Sequence, residues 1–205
     1  YKRQVCPGEL IFGADSHTCS YGALGAFGTG VGCTDLLYGM VTGKSWVLVP
    51  ETVKFNLVGK LPEGVYARDL ILTIIGTIGA NGCNYQVMEF TGEGAKTLSI
   101  SERMVLCNMA VEAGAKTGIF EPDEKAIEYL KAHGRKPKAL FTSDPDAVYA
   151  REYTFDLSKI RPVVAKPDFV DNLVPAEEVR GVKIDEAFLG SCNNGRIEDL
   201  RVGAS

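Results

Sequence analysis

The sequence predicts an α/β fold, because segments with the spacing of β-strands alternate along it with segments that have the spacing of α-helices. Residues 53–59 alternate between apolar and polar side chains, which is typical of a half-buried strand. Residues 66–80 are apolar with a helical period, and Ser99 and Glu102 form a capping-box pattern before a further helix. The chain has 205 residues, of which 45% are apolar, so it can bury a core as one large domain or two smaller ones.

The N-terminal part of the chain is organised around a glycine-rich stretch at 13–34. A short strand is predicted before it at 8–12, and a short helical run follows it at 35–40. The glycines of the stretch surround a group of polar side chains, and glycine permits the close backbone approach that a small polyanionic ligand requires. Pro50 and Glu51 then mark a predicted domain boundary before the alternating strand.

Helices and strands continue to alternate through the middle of the chain. Asp69 lies near the start of the helix at 66–80, where the helix dipole favours a carboxylate, and a strand is predicted at 85–90. The capping-box helix is predicted over 99–114. A charged surface helix follows at 122–134, with a proline near its start and a glycine at its end.

The C-terminal part is predicted to be extended at first and then to begin a new α/β unit. Prolines punctuate residues 136–175, which favours extended connections. A strand is predicted at 182–189, a tight turn at 190–196 and a helix at 197–201. We therefore expect three units, namely the end of a first α/β domain at 1–50, a second α/β domain at 51–166 and the start of a third at 167–205.

Composition and charge exclude several classes of protein. A formal net charge of −4 without a basic run argues against binding to nucleic acid or to an anionic membrane surface. No apolar run reaches the roughly 20 residues of a membrane-spanning helix, and no segment resembles a signal peptide, so we expect a cytoplasmic protein. Six cysteines without a C-x-x-C pair indicate neither a disulfide framework nor a zinc ribbon. Because the chain starts without methionine and stops inside a predicted helix, we expect a fragment of a longer protein.

The clearest candidate site is the adjacent trio Asp15, Ser16 and His17, which follows the first predicted strand. Ligands bind at the carboxyl ends of the strands in open α/β sheets, and an acid, a hydroxyl and an imidazole together suit acid–base chemistry. His17 is the only plausible catalytic imidazole, since the other histidine, His133, lies in a charged helix end. The alternative is a β-turn in which Asp15 and Ser16 are turn or cap residues and His17 bonds to backbone.

Two further polar groups occur among apolar neighbours. Asn108 and Glu112 are four residues apart on a predicted helix and therefore share a face; the alternative is an ordinary solvated helix face. Cys192 lies in the predicted strand-to-helix turn, where amide groups and the helix dipole favour a thiolate. Its alternative is a small apolar residue, although the polar neighbours Ser191 and Asn193 argue against a dry structural role.

Three segments together resemble the aconitase superfamily, in their order and spacing as well as in their residues. They are GADSHT at 13–18, CNMAVEAGA at 107–115 and GSCNNGRIEDL at 190–200. The resemblance is closest to the branch whose members act on isopropylmalate or homoaconitate, and it covers essentially the whole chain. It implies aconitase-like three-layer α/β/α domains in a partial chain.

The resemblance also implies a [4Fe–4S] cluster held by three cysteines, with a fourth iron that acts as a Lewis acid on the substrate. Cys192 matches the first of these cysteines, and the other two are expected outside this sequence. Asp15 would orient an upstream histidine, and His17 would pair with Glu112, directly or through a water molecule. The residues that the resemblance assigns to substrate binding are Ser16, Ser20, Asn108 and Arg196.

The activity implied by the resemblance is that of a hydro-lyase. It would isomerise 2-isopropylmalate to 3-isopropylmalate through a dehydrated intermediate, a step of leucine biosynthesis, with homoaconitate or a related hydroxy acid as the alternative substrate. Ser20 stands where aconitases proper have asparagine, which favours this branch, while Asn193 replaces the usual threonine for no evident reason. The base would be a serine on a separate small subunit, with which the chain would form a heterodimer or heterotetramer.

Two alternative hypotheses, RNA binding and a zinc site, remain open from the sequence. Some aconitase-like chains without a cluster bind RNA, although the acidic charge and the lack of a basic groove argue against this. A zinc site built from His17, Cys19 and Cys33 is a further alternative, although their spacing matches no usual ligand pattern.

Overall fold

The protein has an α/β fold built on a four-stranded parallel sheet. The computed structural model describes residues 5–137 and 139–205. The strands within these residues are β1 (Leu10–Gly13), β2 (Phe27–Gly30), β3 (Thr52–Val58), β4 (Val87–Thr91), β5 (Thr117–Phe120), β6 (Arg151–Asp156), β7 (Val163–Ala165) and β8 (Leu173–Pro175). The main sheet has the order β5-β4-β3-β6, whereas β1 pairs with β2 in parallel and β7 with β8 antiparallel. The predicted α/β class is therefore confirmed.

Helices of two kinds connect the strands in the described residues. The α-helices are α1 (Cys33–Thr42), α2 (Ala67–Ile78), α3 (Glu93–Thr97), α4 (Ile100–Asn108), α5 (Glu124–Ala132) and α6 (Ile197–Ala204). The 3₁₀ helices are Ser16–Leu24, Met109–Ala113, Leu157–Lys159 and Ala176–Val179. Among the helices described, none has both the length and the apolar character needed to cross a bilayer.

A row of aromatic side chains crosses the main sheet at one level. Phe55 on β3 is in register with Phe90 on β4 and with Tyr153 on β6, and Phe90 is in register with Phe120 on β5. The ring centroids are 5.6 Å apart for Phe55 and Phe90, 5.1 Å for Phe90 and Phe120, and 5.5 Å for Phe55 and Tyr153. Aromatic pairs at these separations add stability beyond their buried area. The row therefore helps to fix the register of all four strands.

The capping box predicted at Ser99 and Glu102 is confirmed. The Glu102 amide donates to Ser99 Oγ at 3.2 Å, and the Ser99 amide donates to Glu102 Oε2 at 2.7 Å. The helix that it opens is shorter than predicted, because α4 ends at Asn108 and continues as the 3₁₀ helix Met109–Ala113 up to Gly114. Gly114 has a φ of 77°, a left-handed conformation that ends the helical run.

The 3₁₀ helix Ser16–Leu24 lies directly on the edge of the main sheet. It packs against β5 and α4, and the contact with β5 is made backbone to backbone. A Cβ atom added at Gly22 would lie 1.7 Å from the carbonyl oxygen of Gly118. Glycine at position 22 is therefore what brings this helix so close to the sheet.

Most of the remaining predicted elements are confirmed within a few residues. They are the segments at 8–12, 35–40, 53–59, 66–80, 85–90, 122–134 and 197–201. The strand predicted at 182–189 is wrong. Val182, Ile184 and Phe188 are exposed there, and no strand of the described chain pairs with them. Apolar alternation without a partner strand leaves the backbone groups unpaired, so it does not form a sheet.

Candidate functional site

A cleft of about 870 Å³ brings together residues from the two ends of the chain. Asp15, His17 and Ser20 line it from the N-terminal part, and Cys192 and Arg196 line it from the C-terminal part. Apolar side chains complete its walls, with Leu24 and Met104 among them. Five of the eight predicted site residues therefore share one cavity of a size that suits a small ligand.

Asp15 stands at the start of the 3₁₀ helix Ser16–Leu24, just past the carboxyl end of β1. Its Oδ1 accepts a hydrogen bond of 2.7 Å from the His17 amide, and its carbonyl accepts one of 2.6 Å from Thr18 Oγ1. Asp15 is thus a cap residue, which confirms the predicted alternative of a turn or cap role for this side chain. Only one of its carboxylate oxygens is used in this way, and the side chain still lines the cleft.

His17 is tied to the second sequence motif through its ring. Its Nδ1 lies 2.9 Å from the carbonyl oxygen of Asn108. Because a carbonyl oxygen can only accept, Nδ1 is the nitrogen that carries the proton in this bond. The second ring nitrogen, Nε2, is left to exchange a proton with a molecule in the cleft.

Asn108 is the buried centre of the site, with 1% of its surface exposed. Its Nδ2 donates to Ser20 Oγ at 2.8 Å, and the Ser20 hydroxyl donates to the His17 carbonyl at 2.8 Å. Its own carbonyl oxygen also accepts a hydrogen bond from Cys19 Sγ at 3.4 Å. Asn108 therefore lies behind the cleft wall and fixes the residues that form it.

The third motif is a turn whose polar side chains are internally bonded. Arg196 donates to the carbonyl oxygens of Cys192, at 3.4 Å, and of Asn193. The Arg196 amide donates to Asp199 Oδ2 at 3.0 Å, which caps α6. Ser191 has a φ of 72°, in the left-handed region. The turn leaves the Cys192 side chain exposed at the cleft.

Asn193 connects this turn to the rest of the protein. Its Nδ2 donates to Asn108 Oδ1 at 3.1 Å and to the Val105 carbonyl at 3.3 Å, and its Oδ1 accepts from Arg68 Nη1 at 2.5 Å. In the described chain beyond Ile160, Asn193 is the only residue that is buried. Asn193 is therefore the residue that anchors the turn at 190–196 to the rest of the protein.

Arg68 is a site residue that the sequence did not reveal. It lies in the first turn of α2, and it looks like an ordinary charged residue on an amphipathic helix. More than a third of Arg68 is accessible to solvent, but partial desolvation of its guanidinium lowers its pKa, while the carboxylates of Glu112 and Asp69 act in the opposite direction. No local pattern signals its role, because its partner Asn193 is distant in sequence.

Ser16 and Glu112 do not join the main cleft. Ser16 lines a neighbouring cavity of about 550 Å³, together with Trp46 and Lys116. Glu112 is exposed on the 3₁₀ helix Met109–Ala113, which packs against the helix that carries His17. Among the bonds that the described residues make, none joins His17 directly to Glu112, so a bridge through water is what remains of their predicted pairing.

The trio His17, Cys19 and Cys33 does not form a metal site. Burial raises the pKa of the Cys19 thiol to about 12, so this thiol stays protonated and is a poor metal ligand. Cys33 is exposed at the start of α1. Across residues 5–137 and 139–205, no three His, Cys, Asp or Glu side chains are grouped closely enough to share an ion.

Comparison with known proteins finds the same family over nearly all of the chain. Residues 2–181 match the aconitase family (aconitate hydratase). The 3-isopropylmalate dehydratase large subunit 1 of Methanopyrus kandleri is 53% identical over 203 residues, which are 99% of this chain and 49% of that protein. The large subunits of Aquifex aeolicus and Pyrococcus furiosus are each 54% identical, over 98% of this chain and 46% and 48% of their own lengths. The chain thus spans about half the length of the curated relatives that it matches.

Proposed function

The chain belongs to the aconitase family, and from that premise we propose that it forms part of the large subunit of an iron–sulfur hydro-lyase. The proposed reaction isomerises 2-isopropylmalate to 3-isopropylmalate by removing water and adding it back at the neighbouring carbon, as a step of leucine biosynthesis. The names of the relatives, all 3-isopropylmalate dehydratase large subunits, support this substrate over others in the family.

The single observation that carries the proposal is the composition of the main cleft. Asp15, His17, Cys192 and Arg196 line one cavity although they come from two distant segments. Dehydration of a hydroxy acid needs groups that move a proton, an electrophile that assists loss of hydroxide, and cations that hold carboxylates. An imidazole, a thiol able to bind metal and a guanidinium match these needs.

The residues present fit an iron–sulfur cluster through one ligand. Cys192 is exposed at the cleft, whereas burial raises the pKa of both Cys19 and Cys107 and keeps these thiols protonated. We propose that Cys192 is one of three cysteine ligands and that the other two lie outside this sequence. A bound [4Fe–4S] cluster with one iron free of protein ligands supplies a Lewis acid for the substrate hydroxyl and carboxylate.

The proposed proton chemistry of this chain centres on His17. With Nδ1 bonded to the Asn108 carbonyl, Nε2 is the atom that accepts or delivers a proton at the substrate. Glu112 would stabilise the imidazolium through a bridging water. The second carboxylate oxygen of Asp15 would orient a histidine from outside this sequence.

Three side chains are proposed to contact the substrate, and a fourth, Asn108, is proposed to support them. Arg196 lines the cleft and would hold a substrate carboxylate, for which a guanidinium has suitable geometry. Ser20 would present its hydroxyl near the substrate, and Ser16 would reach it from the neighbouring cavity. Asn108, which lies behind the cleft wall, would contribute by holding Ser20 in place. No residue of this chain is proposed as the base that removes the carbon-bound proton.

We propose that this base comes from a partner, a small subunit that completes the active site in a heterodimer or heterotetramer. The term "large subunit" in the names of the relatives supports this assembly. We also propose that the chain is divided into three domain segments, at 1–50, 51–166 and 167–205. We propose a cytoplasmic location for the enzyme.

The test is an assay of the complete protein. The full-length large subunit, joined to its small subunit and loaded with iron and sulfide, is given 2-isopropylmalate, homoaconitate and citrate separately. We expect the highest kcat/KM with 2-isopropylmalate. A preference for homoaconitate would overturn the substrate while keeping the reaction class, and an iron-replete enzyme that converts none of the three would overturn the proposed function.

A further inference from the structure

A chain of hydrogen bonds with a single direction runs behind the cleft from α2 to the His17 backbone. Arg68 Nη1 donates to Asn193 Oδ1 at 2.5 Å, and Asn193 Nδ2 donates to Asn108 Oδ1 at 3.1 Å. Asn108 Nδ2 then donates to Ser20 Oγ at 2.8 Å, and the Ser20 hydroxyl donates to the His17 carbonyl at 2.8 Å. These four hydrogen bonds therefore connect all three sequence motifs to Arg68, which belongs to none of the motifs.

Arg68 sets the direction of this chain because a guanidinium can only donate hydrogen bonds. Its contact forces Asn193 to present Oδ1 towards α2 and Nδ2 towards Asn108. Without it, both amides could turn over together, and Ser20 would donate to Asn108 and release the His17 carbonyl. The Val105 carbonyl favours the observed orientation as well, through a longer bond of 3.3 Å.

Two hydrogen bonds connect the last members of this series, Ser20 and Asn108, to His17. The Ser20 hydroxyl holds the main-chain carbonyl of His17, and the main-chain carbonyl of Asn108 holds its Nδ1 at 2.9 Å. A turned-over Asn108 amide would draw the Ser20 hydroxyl away from the His17 carbonyl, and the freed His17 main chain could carry its ring away from the Asn108 carbonyl that fixes Nδ1. The orientation of the Asn108 amide thus bears on the position of the His17 ring, which lines the cleft.

We propose that Arg68 is a positioning residue, which orders Asn193 and Asn108 and thereby keeps His17 in its Nδ1-protonated form at the cleft. The catalytic consequence rests on the proposed function, whereas the effect on the imidazole does not. Arg68 itself does not line the main cleft among the described residues, so its contribution reaches the site through the two asparagines.

The test uses the full chain labelled with ¹⁵N in histidine. The His17 signals are identified by their loss in His17→Gln, and spectra are recorded at about pH 8.5, where an ordinary imidazole is neutral. Wild type should have a protonated Nδ1 and a free Nε2. Arg68→Met should give a mixture of both tautomers, and Arg68→Lys, which still donates, should restore the wild-type spectrum. In the assembled enzyme, Arg68→Met should lower kcat by about 10–100-fold with a smaller change in KM.

Two further variants make the test decisive. Asn193→Asp keeps an acceptor for Arg68 but cannot donate to Asn108, so it should reproduce the mixture of His17 tautomers. This variant replaces Arg68→Met in the test if Arg68→Met does not fold. Arg161→Met is the matched control, since Arg161 is exposed like Arg68 but lies away from these hydrogen bonds. A wild-type spectrum in both Arg68→Met and Asn193→Asp would overturn the inference. An equal change in Arg161→Met would overturn it too. Failure of the proposed function would appear as an inactive wild-type enzyme and would leave the spectra interpretable.

Discussion

Replacing Asp123 by asparagine tests the ion pair that holds α4, the helix that ends at Asn108. The Arg103 side chain is 1% exposed and donates to both carboxylate oxygens of Asp123, at 2.9 and 2.5 Å. Its guanidinium also lies 5.4 Å from the centroid of the Phe120 ring. Asp123 Oδ1 accepts from the Ala126 amide and caps α5. Asparagine is an equally good cap, so Asp123→Asn removes the charge and keeps the helix start.

The expected loss of unfolding free energy follows from the burial of the two partners. Removing one member of a buried pair costs about 3–5 kcal/mol, because the remaining charge is left uncompensated. Asp123 is 25% exposed and asparagine still offers one acceptor, so the lower end, about 3 kcal/mol, is expected. That is on the order of 100-fold in the unfolding equilibrium. For a chain of this length it corresponds to a fall in Tm of about 6–12 °C.

The assay is thermal and urea unfolding of the full chain, with Glu152→Gln as the matched change of a carboxylate to an amide. Glu152 is 61% exposed and pairs with Lys54 at 3.4 Å, so its loss should cost less than about 1 kcal/mol. An Asp123→Asn protein no less stable than Glu152→Gln would refute the reasoning.

The same pair predicts a dependence on pH. Burial by itself raises the pKa of Asp123, but the hydrogen bonds and charge of Arg103 outweigh it and hold the pKa below its ordinary value of 3.8. A carboxyl whose pKa is lowered by folding stabilises the protein above its unfolded pKa and loses this contribution as pH falls through the folded pKa. The difference between wild type and Asp123→Asn should therefore be constant near neutral pH and shrink below about pH 4.

Three further changes test the site and its support. Cys192→Ser should abolish bound iron, sulfide and dehydratase activity while changing Tm little, because the thiol is exposed and serine is a poor ligand for iron; an iron-replete, active variant would contradict this. His17→Gln should lower kcat by about 10²–10⁴-fold, and equal activity in His17→Gln and His133→Gln would exclude a catalytic role. Gly22→Ala should cost about 1–3 kcal/mol or more, since its Cβ would lie 1.7 Å from the Gly118 carbonyl oxygen, whereas Gly39→Ala, with its nearest contact at 3.8 Å, should leave Tm unchanged or raise it.

The α/β class and most elements were predictable because their signals are local. The capping box at Ser99 and the apolar periods of α2 and β3 depend on neighbouring residues, and the structure confirms all three. The 3₁₀ helix Ser16–Leu24 and β5 were not predicted. The first depends on contact between Gly22 and β5, and β5 has only four residues, too few to show a period.

The site was predictable as a set of residues but not as an arrangement. The motifs with Asp15, His17 and Cys192 were found from residue type and spacing, and the structure brings these three together. The roles of Arg68 and Asn193 were not predictable, because a hydrogen bond between distant segments produces no recognisable pattern in the sequence around either residue.

The burial of Asn193 has a consequence for how the protein opens. Asn193 is the only buried residue of the described segment 182–205, and no apolar side chain of this segment belongs to the hydrophobic core or packs against it. Such a segment detaches at a free energy far below that of global unfolding. Amide protons of α6 should therefore exchange with solvent through local opening, whereas those of β3 and β4 should exchange only through global unfolding. One wall of the cleft, with Cys192 on it, can thus swing away from His17 while the sheet stays intact.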